Sequence, residues 1–309
     1  VCFVISGLYT LVHSVWGFLL LRFLHGMSTG TKPTATAAYV ADVIPEDRRG
    51  EAQGTLGIFT ATGMSIGPAI GSYLANTFGL DPMFYISGAF ALLSIIILLR
   101  LKETLPSTMK RKFSFKLLKI KMEDVFEPKV ARVFWIMLLV SFSSGPVLTL
   151  VPHISTSIGW TNKGLYFSIY TIASIVIRFF FAKSSDKYGR APIIFYSCLS
   201  LTIGMFLLVL TPNTYTLIGS AIFYGISWGF NTPTLAAWTN DLGDSKHMGR
   251  AMATMYIALE AGIGIGAYFS GYIFQGEDKN IPIPFFISAL LAILSMVILK
   301  LKSSNWQVK

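Results

Sequence analysis

The chain has 309 residues, of which 53% are hydrophobic and only 13% charged, with a net charge of +10. Soluble domains carry about 25% charged residues, so the composition excludes a single soluble globular domain. No Asp, Glu, Lys or Arg occurs in 54–80, 133–162, 191–240 or 280–299. Each stretch reaches the ~20 apolar residues that a helix needs to cross a bilayer. The basic balance is spread over short segments rather than gathered in a patch, which argues against nucleic acid as a partner. Cys2 and Cys198 form no CxxC and no disulfide framework.

Hydropathy and breaker residues predict ten spans, near 1–16, 18–42, 54–76, 82–100, 131–157, 164–183, 192–211, 215–241, 250–274 and 282–301. If the segment at 43–53 is cytoplasmic, 20 of the 25 Lys and Arg fall on that side and only Lys163 and Lys279 on the other. The positive-inside rule then predicts that both ends of the chain are cytoplasmic, in a multi-pass protein of the plasma (inner) membrane. Residues 102–129 are predicted to form a basic cytoplasmic linker. Its stretch Phe113–Lys121 has amphipathic character suited either to anionic lipid or to plain solvation.

Sliding the chain by 199 residues aligns Gly26–Tyr73 with Gly225–Tyr272 at 14 identities in 48 positions. The pairs include Gly26/Gly225, Gly30/Gly229, Asp42/Asp241, Gly50/Gly249, Gly63/Gly262 and Gly67/Gly266. Such self-similarity marks a duplicated architecture. The second copy begins near Val130, so its counterpart would start before Val1. The expected fold is therefore an all-α, two-bundle integral membrane protein with about ten of twelve transmembrane helices present, helices 3–12. The remainder of the first bundle would occupy 1–101, the linker 102–129 and a six-helix second bundle 130–309.

Several motifs occur in order along this frame. The second span has Arg22-x-x-His25-Gly26, and Pro45-Glu46-Asp47-Arg48-Arg49-Gly50 follows it. The third has Gly54, Gly63, Gly67-Pro68 and Gly71-Ser72. Between the sixth and seventh spans lies Ala182-x-x-x-Asp186-Lys187-Tyr188-Gly189-Arg190-Ala191-Pro192. Together these resemble the major facilitator superfamily, and within it the drug–proton antiporters. The antiporter glycine motif is matched except that Ser72 replaces a Gly. The RxxQG motif is matched with His25 for Gln, and the GxxxDRxGR loop with Ala182 for Gly.

The resemblance implies a secondary transporter that exports a small molecule against protons by alternating access. A symporter or uniporter importing a small metabolite is the alternative. It implies a proton-coupling role for Arg22. Gly63, Gly67, Pro68 and Gly71 would seal the two halves, and Asp186, Gly189 and Arg190 would form a gated turn. Charges within spans are costly and usually functional. Lys32, near mid-span, is a candidate cavity cation, with pairing to another element as the alternative. Glu260, also mid-span, is suited to carry a proton, with a structural ion pair as its alternative. Trp228 and Asn231, the latter aligned with Lys32, are further cavity candidates, because carrier sites lie near the midplane at the repeat interface. His13 and His153 are expected at interfaces.

Gly262-x-Gly264-x-Gly266 follows no strand and reads as helix packing rather than a dinucleotide loop. No nucleophile elbow, Walker loop or metal cluster supports an enzyme. The expected partners are a small-molecule substrate, protons and the bilayer, without cofactor, metal or nucleic acid, and the chain is expected to act as a monomer.

Overall fold

The computed structural model describes residues 1–45, 49–104, 126–181, 184–210, 213–243 and 248–300, with side chains omitted at several positions between 31 and 65 and at Met248. Among these, all regular structure is helical. The acidic–basic stretch at 46–48, most of the linker, and Ala182 lie outside the described residues. The chain divides into two compact units, Val1–Phe113 and Ser114–Lys309.

The first unit holds α1 (Cys2–Leu8), α2 (Val15–Val43), α3 (Arg49–Phe78) and α4 (Leu80–Leu98). The span expected over 1–16 is shorter than its hydropathy indicates, because polar side chains end one helix and start the next. The Thr10 hydroxyl donates to the Gly7 carbonyl at 2.8 Å, and the Gly17 amide donates to Ser14 Oγ at 3.0 Å, an N-terminal cap for α2. α1 packs on α2 and α4, and α3 on α2 and α4. Ile5, Tyr9 and Leu21 form the buried core, with Val12 and Phe84 against it. Pro68 sits inside α3, which continues through it.

The second unit opens with a single 3-10 turn at Pro128–Val130, then α5 (Ala131–Ser141) and α6 (Ser144–Ser157), which form one span interrupted at Phe142 and Ser143. There follow α7 (Leu165–Phe181), the short α8 (Ser184–Tyr188), α9 (Arg190–Val209), α10 (Thr214–Leu242), α11 (Met248–Phe274) and α12 (Pro282–Lys300). The Asn213 side chain accepts from the Tyr215 and Thr216 amides while Thr216 Oγ1 accepts from the Asn213 amide, a reciprocal cap that fixes the start of α10.

Small residues set the packing in this unit. α10 lies on α7 and α9, and α11 on α5 and α6. A Cβ on Gly225 would stand 2.2 Å from the Tyr170 carbonyl oxygen, and one on Gly266 would stand 2.1 Å from that of Phe142. Backbones meet directly there, as small residues permit in a membrane. The repeat-mates in the first unit differ, since no described atom lies within 4 Å of a Cβ on Gly26, Gly30, Gly63 or Gly67.

Polar pairs between helices reinforce the second unit. Ser144 Oγ and Tyr224 OH are 2.7 Å apart, and Tyr166 OH and Ser220 Oγ 3.0 Å, all buried. Among the described residues, five stretches are long and apolar enough to cross a membrane: Leu80–Leu98, Pro128–Ser157, Arg190–Val209, Gly249–Phe274 and Asp278–Lys300. Large apolar side chains such as Phe90, Trp135 and Phe179 point outward. That is the arrangement for a bilayer rather than water.

Candidate functional site

In the first unit, Arg22 and His25 lie one turn apart on α2. The Arg22 guanidinium stands 5.8 Å from the Tyr9 ring centroid and 5.7 Å from that of Phe18. His25 Nδ1 is 3.2 Å from the Tyr9 hydroxyl. Lys32 is exposed on the same helix, next to the Cys2 thiol, whose sulfur lies 3.4 Å from Ser28 Oγ. Gly63 and Gly67 are exposed on α3, and a Cβ on Gly71 would only reach the sulfur of Met83 at 3.9 Å.

In the second unit, the Asp186–Arg190 stretch folds as α8 and a turn. Gly189 has φ +88°, a conformation that only glycine adopts without strain, and it directly precedes α9. That turn aims the Arg190 fork back at α8 and across to α10. Its Nη1 donates to Ser185 Oγ at 2.8 Å and to Asp186, and its Nε donates to Asp241 Oδ2 at 2.8 Å. Arg190 thus pairs with an acid on a neighbouring helix, Asp241 of α10. The repeat alignment held the signal for Asp241, as the mate of Asp42, without showing what it meets.

A second ionic contact went unread in the sequence. Arg250, near the start of α11, donates through Nε to Glu127 Oε2 at 2.9 Å and also through Nη2. The Glu127 amide donates to Thr254 Oγ1 at 2.8 Å, so the end of the linker is fastened to α11 at two points. The Arg250 guanidinium holds the Glu127 carboxyl below the usual carboxylate range.

Two expectations change. Asn231 is 1% exposed; its Oδ1 accepts from Ser197 Oγ at 2.7 Å and its Nδ2 donates to Ser227 Oγ at 3.0 Å. In place of the expected cavity contact, its amide joins α10 to α9 inside the unit, because an unbonded amide in an apolar interior is costly. Glu260 stands exposed on α11 rather than buried, so what singles it out is its depth along the helix. Trp228 is half-buried, its ring 6.1 Å from that of Tyr224. Its indole Nε1 is buried without a hydrogen-bond partner among the described residues.

The sequence profile described as Major Facilitator Superfamily matches residues 1–244 and 133–305. The chain belongs to that superfamily. It is therefore a multi-pass integral membrane transporter of small molecules, not an enzyme. Among relatives of this superfamily member, the staphylopine export protein of Staphylococcus aureus is 24% identical over 294 residues, covering 93% of this chain and 74% of that one. A multi-drug resistance efflux pump PmrA homolog of Lactococcus lactis is 28% identical over 280 residues, covering 84% and 66%. The crystal structure of a D-xylose-proton symporter superposes with a TM-score of 0.73 at 18% identity, over 97% of this chain and 78% of that one. That likeness is one of fold.

Proposed function

We propose that this transporter exports a small molecule in exchange for protons by alternating access. The observation that carries the reading is the glycine series Gly54, Gly63, Gly67-Pro68 and Gly71 on α3, together with relatives named for export and multidrug efflux. In this reading 1–101 and 130–309 are the two rocking bundles and 102–129 is their cytoplasmic linker. Both ends of the chain face the cytoplasm of the plasma (inner) membrane, and the chain works as a monomer.

Arg22 and Glu260 handle protons, and Lys32 and Trp228 face the substrate path. Asn231 supports Trp228 from three residues along α10. Gly63, Gly67, Pro68 and Gly71 on α3, and Asp186, Gly189 and Arg190 in the turn before α9, serve as gating residues of the cycle. A carboxylate and a guanidinium at membrane depth have a cost that only a function or a partner offsets.

The test is uptake of ethidium into everted vesicles carrying the chain, where cellular export appears as accumulation in the lumen, with and without an imposed pH gradient. Accumulation coupled to protons is expected to collapse when the gradient is dissipated, and Glu260→Gln is expected to abolish the dependence on the gradient. Release of ethidium from the lumen together with protons would make the chain an importing symporter, and flux indifferent to the gradient would make it a uniporter.

A further inference from the structure

His25 occupies a position where the resembled motif carries glutamine, and it replaces a side chain that cannot titrate with one that changes charge near neutral pH. Two contacts join it to Tyr9. The Tyr9 hydroxyl lies 3.2 Å from Nδ1, and the two rings are 5.9 Å apart, inclined at 42°. The Tyr9 ring also supports the Arg22 guanidinium 5.8 Å from its centroid, and Phe18 supports it from another side at 5.7 Å. Tyr9 itself is 9% exposed, held by Phe84 at a ring distance of 5.2 Å and by the small core of Ile5 and Leu21. One fixed phenol therefore touches a titratable imidazole with its hydroxyl and a permanent cation with its ring.

We propose that His25 is a proton-binding residue of the transport cycle, and that its protonation is read by Tyr9 and displaces Arg22 from the Tyr9–Phe18 ring pair. The inference rests on the reading that transport is proton-coupled. With His25 neutral and its proton on Nε2, Nδ1 accepts from the Tyr9 hydroxyl. A proton taken from water onto Nδ1 turns that nitrogen into a donor, and the Tyr9 hydroxyl must rotate to accept. The same proton places an imidazolium one helical turn from the Arg22 guanidinium, on neighbouring positions of one helix face. Two cations there repel. The guanidinium is the one free to leave, because Arg22 is exposed and, among the described residues, ring faces hold it. Release of the proton to water restores the neutral ring and the cation's seat.

Among the described residues, the ionisable groups about this site are Tyr9, Cys2 and the Val1 amino group at α1 and Arg22 and Lys32 on α2. At the same end stand Tyr73 on α3 and Asp81 and Tyr85 on α4, with the Tyr85 hydroxyl 3.2 Å from Thr10 Oγ1. Lys32 adds to the positive surroundings of His25 from further along α2.

The experiment uses the full chain in lipid nanodiscs with ¹⁵N-labelled histidine, the His25 resonance being the one lost in His25→Gln. In the neutral state Nδ1 is expected to be the unprotonated nitrogen. Arg22→Gln is expected to shift the titration midpoint, since it removes a like charge one turn away. Tyr9→Phe is expected to redistribute the neutral tautomers. Ethidium flux in proteoliposomes is then measured between about pH 6 and 8.5, where His25→Gln should flatten the pH profile. A resonance that does not titrate in this range, or one indifferent to both Arg22→Gln and Tyr9→Phe, overturns the proposal. A titrating, coupled His25 in a protein whose wild-type flux ignores pH instead overturns proton coupling, and with it the transport role of His25 while leaving the pair intact.

Discussion

Arg190 Nε donates to Asp241 Oδ2 at 2.8 Å, which fastens the first residue of α9 to the end of α10 across 51 positions of sequence. Its other arm holds Asp186 and Ser185, so one fork spans three elements. Lysine carries the charge without the fork. Arg190→Lys is therefore expected to keep one acid and lose the other. The stability loss should be small, about 0.5–1 kcal/mol for a pair this exposed. Ethidium efflux should fall much further than the thermal midpoint does. Equal losses of both would assign the fork to stability alone.

Gly189 has φ +88°. Its ψ is 157°, which places it in a backbone region essentially reserved for glycine, so alanine there costs about 1–3 kcal/mol. Gly189→Ala should lower the unfolding midpoint in a thermal scan, and Gly189→Asn should lower it by a similar amount, since asparagine tolerates the left-handed helical region and not this one.

The two copies of the glycine repeat should respond differently to the same change. Gly266→Ala places a methyl 2.1 Å from the Phe142 carbonyl oxygen and forces α11 away from the break between α5 and α6. A loss of about 1–3 kcal/mol is expected. Gly67→Ala meets no described atom within 4 Å, so its effect on the midpoint of this chain should be slight. Chemical denaturation of the purified variants compares them.

Glu127 sets an acid limit on the linker attachment. Its carboxyl titrates lower in the folded chain than in the unfolded one because Arg250 donates to it. Such a group contributes stability that is fully present above the unfolded value, near about 4.3, and is lost as pH falls through the lower folded value. Glu127→Gln should therefore be less stable than wild type at neutral pH. The difference should narrow in mild acid and vanish once the wild-type carboxyl is protonated, as read by proteolysis of the linker across pH.

Asn231→Ala removes two interior hydrogen bonds and leaves Ser227 without its amide partner. The expected loss is about 1–3 kcal/mol. Asn231→Asp would also test the reassignment, since a substrate contact would change ethidium affinity while a packing amide would change the thermal midpoint.

Helix-scale architecture is legible in the sequence because the bilayer imposes it. Stretches without charge must span, and the predicted limits 192–211, 215–241 and 250–274 fall within two residues of α9, α10 and α11. The first predicted span fails for a local reason, since Ser14 and Thr10 offer the backbone hydrogen bonds that hydropathy does not count. The candidate site is legible where a short motif folds on itself, as Asp186, Gly189 and Arg190 do. It is not legible where partners lie far apart in sequence. Glu127 and Arg250 meet across 123 positions, and no spacing rule connects them. Asn231 misled for the same reason: its depth is readable from the repeat, but its direction depends on Ser197 on another helix.

The break at Phe142 and Ser143 divides the span Pro128–Ser157 into two arms with separate anchors. The first arm ends at the ion pair of Glu127 with Arg250. The second arm carries His153, whose Nε2 lies 2.7 Å from Asp278 Oδ1 in the loop before α12. At the elbow, Gly145 and Gly266 press backbone on backbone, a contact that no side-chain rotation can relax. Neutralising either carboxylate thus loosens one arm and leaves the elbow's backbone contact untouched.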